Sequence, residues 1–434
     1  MDHGAKPGDD FFQYTNGGWL KSAVIPPDRS FAGVDLELNS ENEARLKGIV
    51  AGLAAKPDAE LNAEEKKLRD LYNAFEDTAA IEKAGLSPVQ ADFASIASLK
   101  THDDVASFMG GPARQMGGPF AINITTDSKN PNAYVARLRQ SGLGMPDRDY
   151  YLRDDKDIAA AREAYKTWLA DMLTLAGVKD TAPRAGAIYA LEEKIAAAHW
   201  PAADRRDADK TYNPMPISAL AKFAPQFPWN AYLAATKIPP RTPSGERVMI
   251  VSEKSAFPAL ATIFAATPVA VWRDYLTVRE LRTFADDLPK AVDDRNFAFF
   301  GTIIAGQKQQ LPRDIRGIQL LDVRLGEALG KLYVAKYFPP EAKAKAQLLV
   351  TNLLKAYDAD IRSLAWMSPA TREKAIEKLQ HIMPKVGYPD TWRDYSALTI
   401  VRGDLVGNVK RAMEFEWNRR LARIDRPVDR SEWA

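Results

Sequence analysis

Residues 325–392 read LGEALGKLYVAKYFPPEAKAKAQLLVTNLLKAYDADIRSLAWMSPATREKAIEKLQHIMPKVGYPDTW, and the fold class follows from them. Ala346, Leu349, Val350, Leu353, Tyr357, Ile361 and Leu364 recur at steps of three and four, which writes one apolar face along a helix. Lys343, Lys345, Lys355, Asp358 and Arg362 fall mostly on the other faces. Pro339 and Pro340 precede this helix, where a missing N–H costs nothing. Ser368 and Pro369 open a second helix as N-cap and first residue. It ends before Pro384, and Gly387–Asp390 turns the chain. A helix of this kind cannot bury its apolar face alone and needs a large partner surface.

Working outward, the helical period dominates. Residues 7–27 read as an irregular arm whose Phe11, Phe12, Tyr14 and Trp19 are too apolar for a free tail. A capping box at Ser40–Glu43 predicts a helix from Asn39. Further helices are predicted over 59–84, from Ser87-Pro88, after Thr101, over 155–176 and over 184–199. Between Phe120 and Arg139 polarity alternates on both sides of a turn at 128–131, which predicts a β-hairpin. Residues 202–246 read as connections around a short helix at Ile217–Phe223, and Arg247–Val251 as an isolated strand. Helices resume over 256–265, 268–286 and 289–304, residues 317–336 lead into the 325–392 stretch, and a last helix covers 405–424. The sum is a mainly α protein: a large multi-helix body with a small β-hairpin.

Composition excludes several functions. The 434 residues carry 59 Lys and Arg against 57 Asp and Glu, with no block of like charge, so nothing argues for nucleic acid or an anionic membrane. There is no cysteine, which removes disulfides, thiolate catalysis and Cys-ligated metal sites. No apolar run is long enough to span a bilayer, and no signal peptide is visible near Met1.

The chemistry that can be searched for is sparse. The four histidines, His3, His102, His199 and His381, are too far apart in sequence for an H-E-x-x-H zinc motif. His199 reads as a packed or hydrogen-bonding residue at a helix end. No G-x-S-x-G elbow and no phosphate-binding loop occur, and Ser363 and Ser368 have helix-surface and capping roles. Gly142-Leu143-Gly144 reads as a turn. Asp103/Asp104 and Asp286/Asp287 sit at helix ends, where acids cap or solvate. Asn123-Ile124-Thr125 matches a glycosylation sequon but lies in a predicted strand. No catalytic or metal-binding residue is assigned, and substrate-binding residues are left open.

Several blocks, in order, resemble one known family. They are DDFFQYTNGGWL (9–20) with VIPPDRS, GLGMPDRDYY (142–151), AHWPAADRRDADKTYNPM (198–215), NFAFFG (296–301), GEALGKLYV (326–334), LAWMSPATREKAIEKL (364–379), GYPDTW (387–392) and VDRSEW (428–433). Together they resemble the N-terminal region of the M13, neprilysin-like zinc metalloendopeptidases, in the cysteine-poor bacterial branch. The resemblance implies a helical lobe that covers the active-site cavity and limits substrate size. It also implies a second, thermolysin-like lobe that would hold zinc through H-E-x-x-H. This sequence matches the first lobe and stops at Ala434, before the substrate-binding strand and zinc helix of the family, so no zinc ligand is carried onto it. Phe31 and Asn39 stand where animal members have a substrate-holding arginine pair.

The expectations are therefore these. Residues 1–38 form an arm against a catalytic lobe, 39–395 the helical lobe, and 396–434 a lead-in toward the zinc domain. The apolar face of the 346–364 helix finds its partner mainly within the helical lobe. The chain itself needs no cofactor, zinc belonging to the complete enzyme, and is inactive alone. Its partners are a zinc-bearing lobe or chain and the peptide substrate, with no nucleic acid and no membrane span. The resemblance places it in the periplasm or outside the cell. A stand-alone helical peptide-binding protein, or pseudo-peptidase, is the alternative.

Overall fold

The computed structural model describes residues 1–112 and 117–433. The chain is mainly helical, with one four-stranded sheet and a two-stranded ribbon among the described residues.

The arm is not irregular: Phe11–Leu20 form a helix, α1, because the Asp10 side chain accepts the Gln13 N–H at 2.8 Å and caps it. Helix α2 (Val34–Ala55) starts five residues before the expected Asn39. Ser40 does not cap it, because its hydroxyl turns inward and donates to the Leu36 carbonyl at 2.8 Å. The reciprocal capping box lies instead at Asn62 and Glu65, opening α3 (Ala63–Glu76). The expected single helix over 59–84 is interrupted at Asp77, whose carboxylate accepts from Ala80 N and starts α4 (Thr78–Ala84). Gly85, at φ +56°, ends it. Helices α5 (Gln90–Ser98) and α6 (His102–Gly110) follow, the latter capped by Thr101 and Asp104.

The hairpin forms as read: β1 (Phe120–Thr126) and β2 (Tyr134–Gln140) pair antiparallel, with Ile122 opposite Leu138. Helices α7 (Asp149–Leu152), α8 (Lys156–Leu175) and α9 (Thr181–Ala198) come next. Ala161, Tyr165, Trp168, Leu169 and Met172 of α8 are all buried, as their spacing required. The connecting region holds β3 (Asn213–Pro216), α10 (Ile217–Phe223), α11 (Trp229–Thr236) and a ribbon of β4 (Arg241–Thr242) with β5 (Gly245–Glu246). The strand after it, β6 (Val248–Val251), is not isolated. It lies between β2, which it pairs in parallel, and β3, giving the order β1-β2-β6-β3. Met249, Ile250 and Val251 are buried, as an apolar run in an inner strand requires, while Val248 at its start is exposed.

Helices α12 (Phe257–Ala266), α13 (Val269–Thr283) and α14 (Lys290–Asn296) lead into a π-helix at Phe297–Ile304. In that turn a Cβ on Gly301 would lie 2.2 Å from the Phe297 ring, so the ring occupies the space a side chain would need. Helix α15 (Arg313–Tyr337) bends at the buried Leu325 and packs on α2 and α3. Helices α16 (Pro340–Ser363) and α17 (Pro369–Gln380) form a hairpin, and α18 (Leu405–Leu421) returns to α3 and α15. Pro427 bridges back to Ala133, and Val428 N donates to the Asn132 carbonyl at 3.1 Å.

One core runs through the body. Phe120 of β1 centres an aromatic cluster, its ring centroid 4.7 Å from Trp229 and 4.8 Å from both Phe227 and Phe257. Residues of α18 reach the same core, and Trp417 donates its indole N–H to the Thr236 carbonyl at 2.9 Å. The α16–α17 hairpin does not join it. Neither helix has a buried residue, and Leu349 is 71% exposed, which corrects the expectation that the apolar face of α16 finds its cover within this lobe. The hairpin is tethered at its base instead: Lys343 reaches the Tyr388 carbonyl and Asp390, and Tyr388 stacks on Trp392. No single helix among the described residues is long and apolar enough to cross a membrane.

Candidate functional site

The 142–146 loop, whose Gly142–Gly144 reads as a turn, forms one wall of a concavity. Gly142 adopts φ +106°, a left-handed geometry in which a side chain is strained, and a Cβ there would also lie 3.2 Å from the Gly118 carbonyl oxygen. Gly144 packs so closely on Tyr165 that a Cβ would lie 1.7 Å from its hydroxyl. Below the loop, Glu192 of α9 is buried. Its Oε2 accepts the hydroxyls of Tyr151 at 2.6 Å and Tyr165 at 2.8 Å, and the Gly144 N–H at 3.2 Å. The Tyr151 oxygen in turn accepts the N–H groups of Gly144 and Met145, both at 3.0 Å. Burial, reinforced by the Glu192 charge, holds both tyrosines well above their ordinary range, so they act here as hydrogen-bond donors.

Arginines of α13 close the network from the other side. Arg279 donates to the Gly142 carbonyl at 2.9 Å and to Glu192 Oε1 at 3.3 Å. Arg282 donates to the Gly144 carbonyl at 2.7 Å and lies over the Phe300 ring at 3.7 Å. Burial, with the like charge of Arg279, lowers Arg282 to about 10. Its charge is retained at neutral pH.

The loop, α13, α15 and α18 surround a cavity of about 620 Å³. Leu143, Leu276, Phe300, Met413 and Trp417 supply apolar walls, and Arg279, Arg282, Arg324 and Arg420 the positive charge. Glu280 and Glu416 also line it, and Glu416 is held by Arg419 and Arg420. A second cavity of about 480 Å³ shares Thr283, Phe300 and Arg324 with the first. It is lined by Asp286 and Asp287, and burial followed by the neighbouring Asp286 pushes Asp287 up to about 7. The four cavity arginines were not singled out in the sequence. The signal available for one of them was Arg279, three residues after Leu276 and so on the same helical face, where a charge is out of place.

No histidine lines either cavity, although His199 is bonded to Ser141 at the edge of the first. His199 caps α9 and is buried, donating Nε2–H to the Ser141 carbonyl at 3.1 Å, which matches its reading as a packed helix-end residue. Desolvation lowers it to about 4. His102 donates to the Thr267 carbonyl, and His381 to the Glu377 carbonyl in its own helix. Among the described residues no group of three His, Asp or Glu side chains is placed to hold a metal ion, so these residues do not fit a zinc centre.

Two exposed apolar stretches are further candidates. Phe11, Phe12, Trp19 and Leu20 of α1 and Val24 and Ile25 after it are exposed, as are Leu348, Leu349, Leu353 and Tyr357 of α16. Monomers rarely leave such apolar clusters to water unless something binds there. The arm is fixed on the body by Pro27, whose carbonyl accepts the N–H groups of Lys308 at 2.9 Å and Gln309 at 2.8 Å.

Comparison with known proteins agrees with this architecture. The family model described as peptidase family M13 matches residues 7–389. Human endothelin-converting enzyme-like 1 is 25% identical over 464 residues, covering all of this chain and 58% of the relative. Human endothelin-converting enzyme 1 is 25% identical over 450 residues with the same coverage. The chain thus spans a little over half the length of the curated relatives it matches. The crystal structure of Mycobacterium tuberculosis zinc metalloprotease Zmp1 with an inhibitor superposes with a TM-score of 0.90 at 34% identity, over 100% of this chain and 65% of that one. PepO from Lactobacillus rhamnosis, at 21% identity, shares the fold with a TM-score of 0.85, over 99% of this chain and 68% of that one. On its sequence match and its helical architecture alike, this chain belongs to peptidase family M13, as its N-terminal, helical region.

Proposed function

We propose that this chain is the non-catalytic helical part of an M13 zinc metalloendopeptidase, covering a substrate cavity that a zinc-bearing lobe completes. The observation that carries the reading is the uncovered apolar face of α16, together with the uncovered apolar side of α1. Both are suited to contact a further lobe, and residues 1–38 serve as the arm that reaches it. Residues 39–395 form the cover, and 396–434 lead toward the zinc-binding part. Peptides small enough to enter the enclosed space are the substrates, and zinc is supplied by the partner lobe. We also assign the complete enzyme to the periplasm or the extracellular space, on family resemblance; cell fractionation tests that.

The test is reconstitution. The purified chain is expected to bind no stoichiometric zinc and to cleave no peptide. Combined with a polypeptide carrying the H-E-x-x-H lobe, it is expected to give chelator-sensitive peptidase activity above that of the lobe alone. One tight zinc per isolated chain, with chelator-sensitive cleavage, overturns the reading. The arginine-lined cavity favours a second reading, a helical peptide-binding protein without hydrolytic activity.

A further inference from the structure

Arg324 is a partly buried charge with few partners. It lies on α15 between the two cavities and lines both. Its Nε is buried and has no hydrogen-bond partner. A guanidinium keeps its proton even when desolvated, so a buried one ordinarily requires a carboxylate or a set of carbonyls. Here the carboxylate that acts on it electrostatically is Asp287, and that carboxyl is partly protonated at neutral pH. Arg279 and Arg282 are committed to the 142–144 carbonyls, and Arg420 to Glu416.

The first cavity therefore combines an undersatisfied arginine with apolar walls from Leu276, Met413 and Trp417. Its 620 Å³ falls in the range of roughly 300–1,000 Å³ typical of small-ligand sites. We propose that this cavity binds the carboxylate of a short apolar peptide, with Arg324 as the residue that receives the anion. A planar guanidinium matches a carboxylate in two parallel hydrogen bonds, and the apolar walls take the side chains. The carboxylate preference rests on the cavity alone. The choice of a peptide to carry it rests on the peptidase reading above.

The experiment is calorimetric titration of the full chain with N-acetyl-phenylalanyl-leucine as the free acid and as the C-terminal amide. The acid is expected to bind at least tenfold more tightly than the amide. Arg324→Gln is expected to bring acid binding down to the level of the amide without lowering the unfolding midpoint of the free protein. A third peptide, amidated and carrying one glutamate, separates the sources. Binding as tight as the free acid assigns the carboxylate to a side chain, and binding as weak as the amide assigns it to the chain end. Equal binding of acid and amide by the unaltered chain overturns the proposal, as does undiminished acid binding by Arg324→Gln. Where that variant fails to fold, Arg324→Lys replaces it. Keeping the charge but not the planar fork, it should weaken acid binding several-fold, and unchanged binding overturns the proposal. A chain that binds the acid yet gains no activity with a zinc-bearing lobe retires the peptidase reading and leaves the anion site standing.

Discussion

The Glu192 carboxylate accepts the Tyr151 hydroxyl at 2.6 Å, joining α9 to the short helix that follows the 142–146 loop. Because Tyr165, Gly144 and Arg279 converge on the same carboxylate, removing it strands several buried polar groups at once. Glu192→Ala is expected to cost about 3–5 kcal/mol, the range for breaking a buried charged pair. Tyr151→Phe should cost about 1.5–3 kcal/mol, as for a hydrogen bond to a charged group. Urea unfolding monitored by circular dichroism measures both. A loss below about 1 kcal/mol for Glu192→Ala would mean that the network does not brace the loop.

Asp287 makes stability depend on pH in an unusual direction. Its folded value of about 7 lies above the ordinary 3.8, so the folded protein holds a proton that the unfolded chain releases. That contribution is fully present below about pH 4 and is lost as pH rises toward 7. Asp287→Asn is therefore expected to stabilise the protein at pH 8, by up to about 4 kcal/mol, and to change little at pH 4. Unfolding midpoints at the two pH values decide it, and an equal shift at both would show that the carboxyl is not titrating.

His199 works in the opposite sense. Desolvation puts its folded value near 4, below the usual 6.5, so the unfolded chain takes up a proton that the folded protein refuses. Its stabilising contribution is present above pH 6.5 and is lost as pH falls to about 4, amounting to about 3 kcal/mol. His199→Gln, which keeps an N–H for the Ser141 carbonyl, should show a shallower loss of stability over that interval than the unaltered protein. Parallel pH profiles for the two would refute this.

The face of α16 gives a prediction of small effect. Leu349 and Leu353 are more than half exposed, so replacing both with glutamate should change the stability of the isolated chain by no more than about 0.5 kcal/mol. Association with a zinc-bearing lobe, measured by analytical ultracentrifugation, should weaken at least tenfold. A large loss of stability in the isolated chain would place this face in the core instead.

Helix periodicity carried most of the architecture, because elements such as α8 bury one side on the body and leave the other to water. Tyr165, Trp168 and Met172 could be identified as core residues from spacing alone. The failures have two causes, one local and the other distant in sequence. Ser40 matches a cap motif, yet the chain is already helical six residues earlier, so its hydroxyl folds back on Leu36. The β6 run gives no hint that it pairs with β2 on one side and β3 on the other. The periodic face of α16 announces burial in the same letters that α8 uses, and periodicity alone does not say which surface supplies the cover. The candidate site was less legible still. The 142–144 turn was visible through its glycines, but Arg282, Arg324 and Arg420 come from three helices, and only folding makes them line one space.

The parallel pairing of β2 with β6 also orders events during synthesis. Arg137 lies opposite Ile250, and all of α8 and α9 are made between them. At about 5–20 residues per second a ribosome needs roughly 6–20 s to span that interval. For that time the nascent hairpin carries an unsatisfied strand edge, a template for pairing with a neighbouring nascent chain. The open edge of β2 is thus a point at which crowding during translation would favour misassembly.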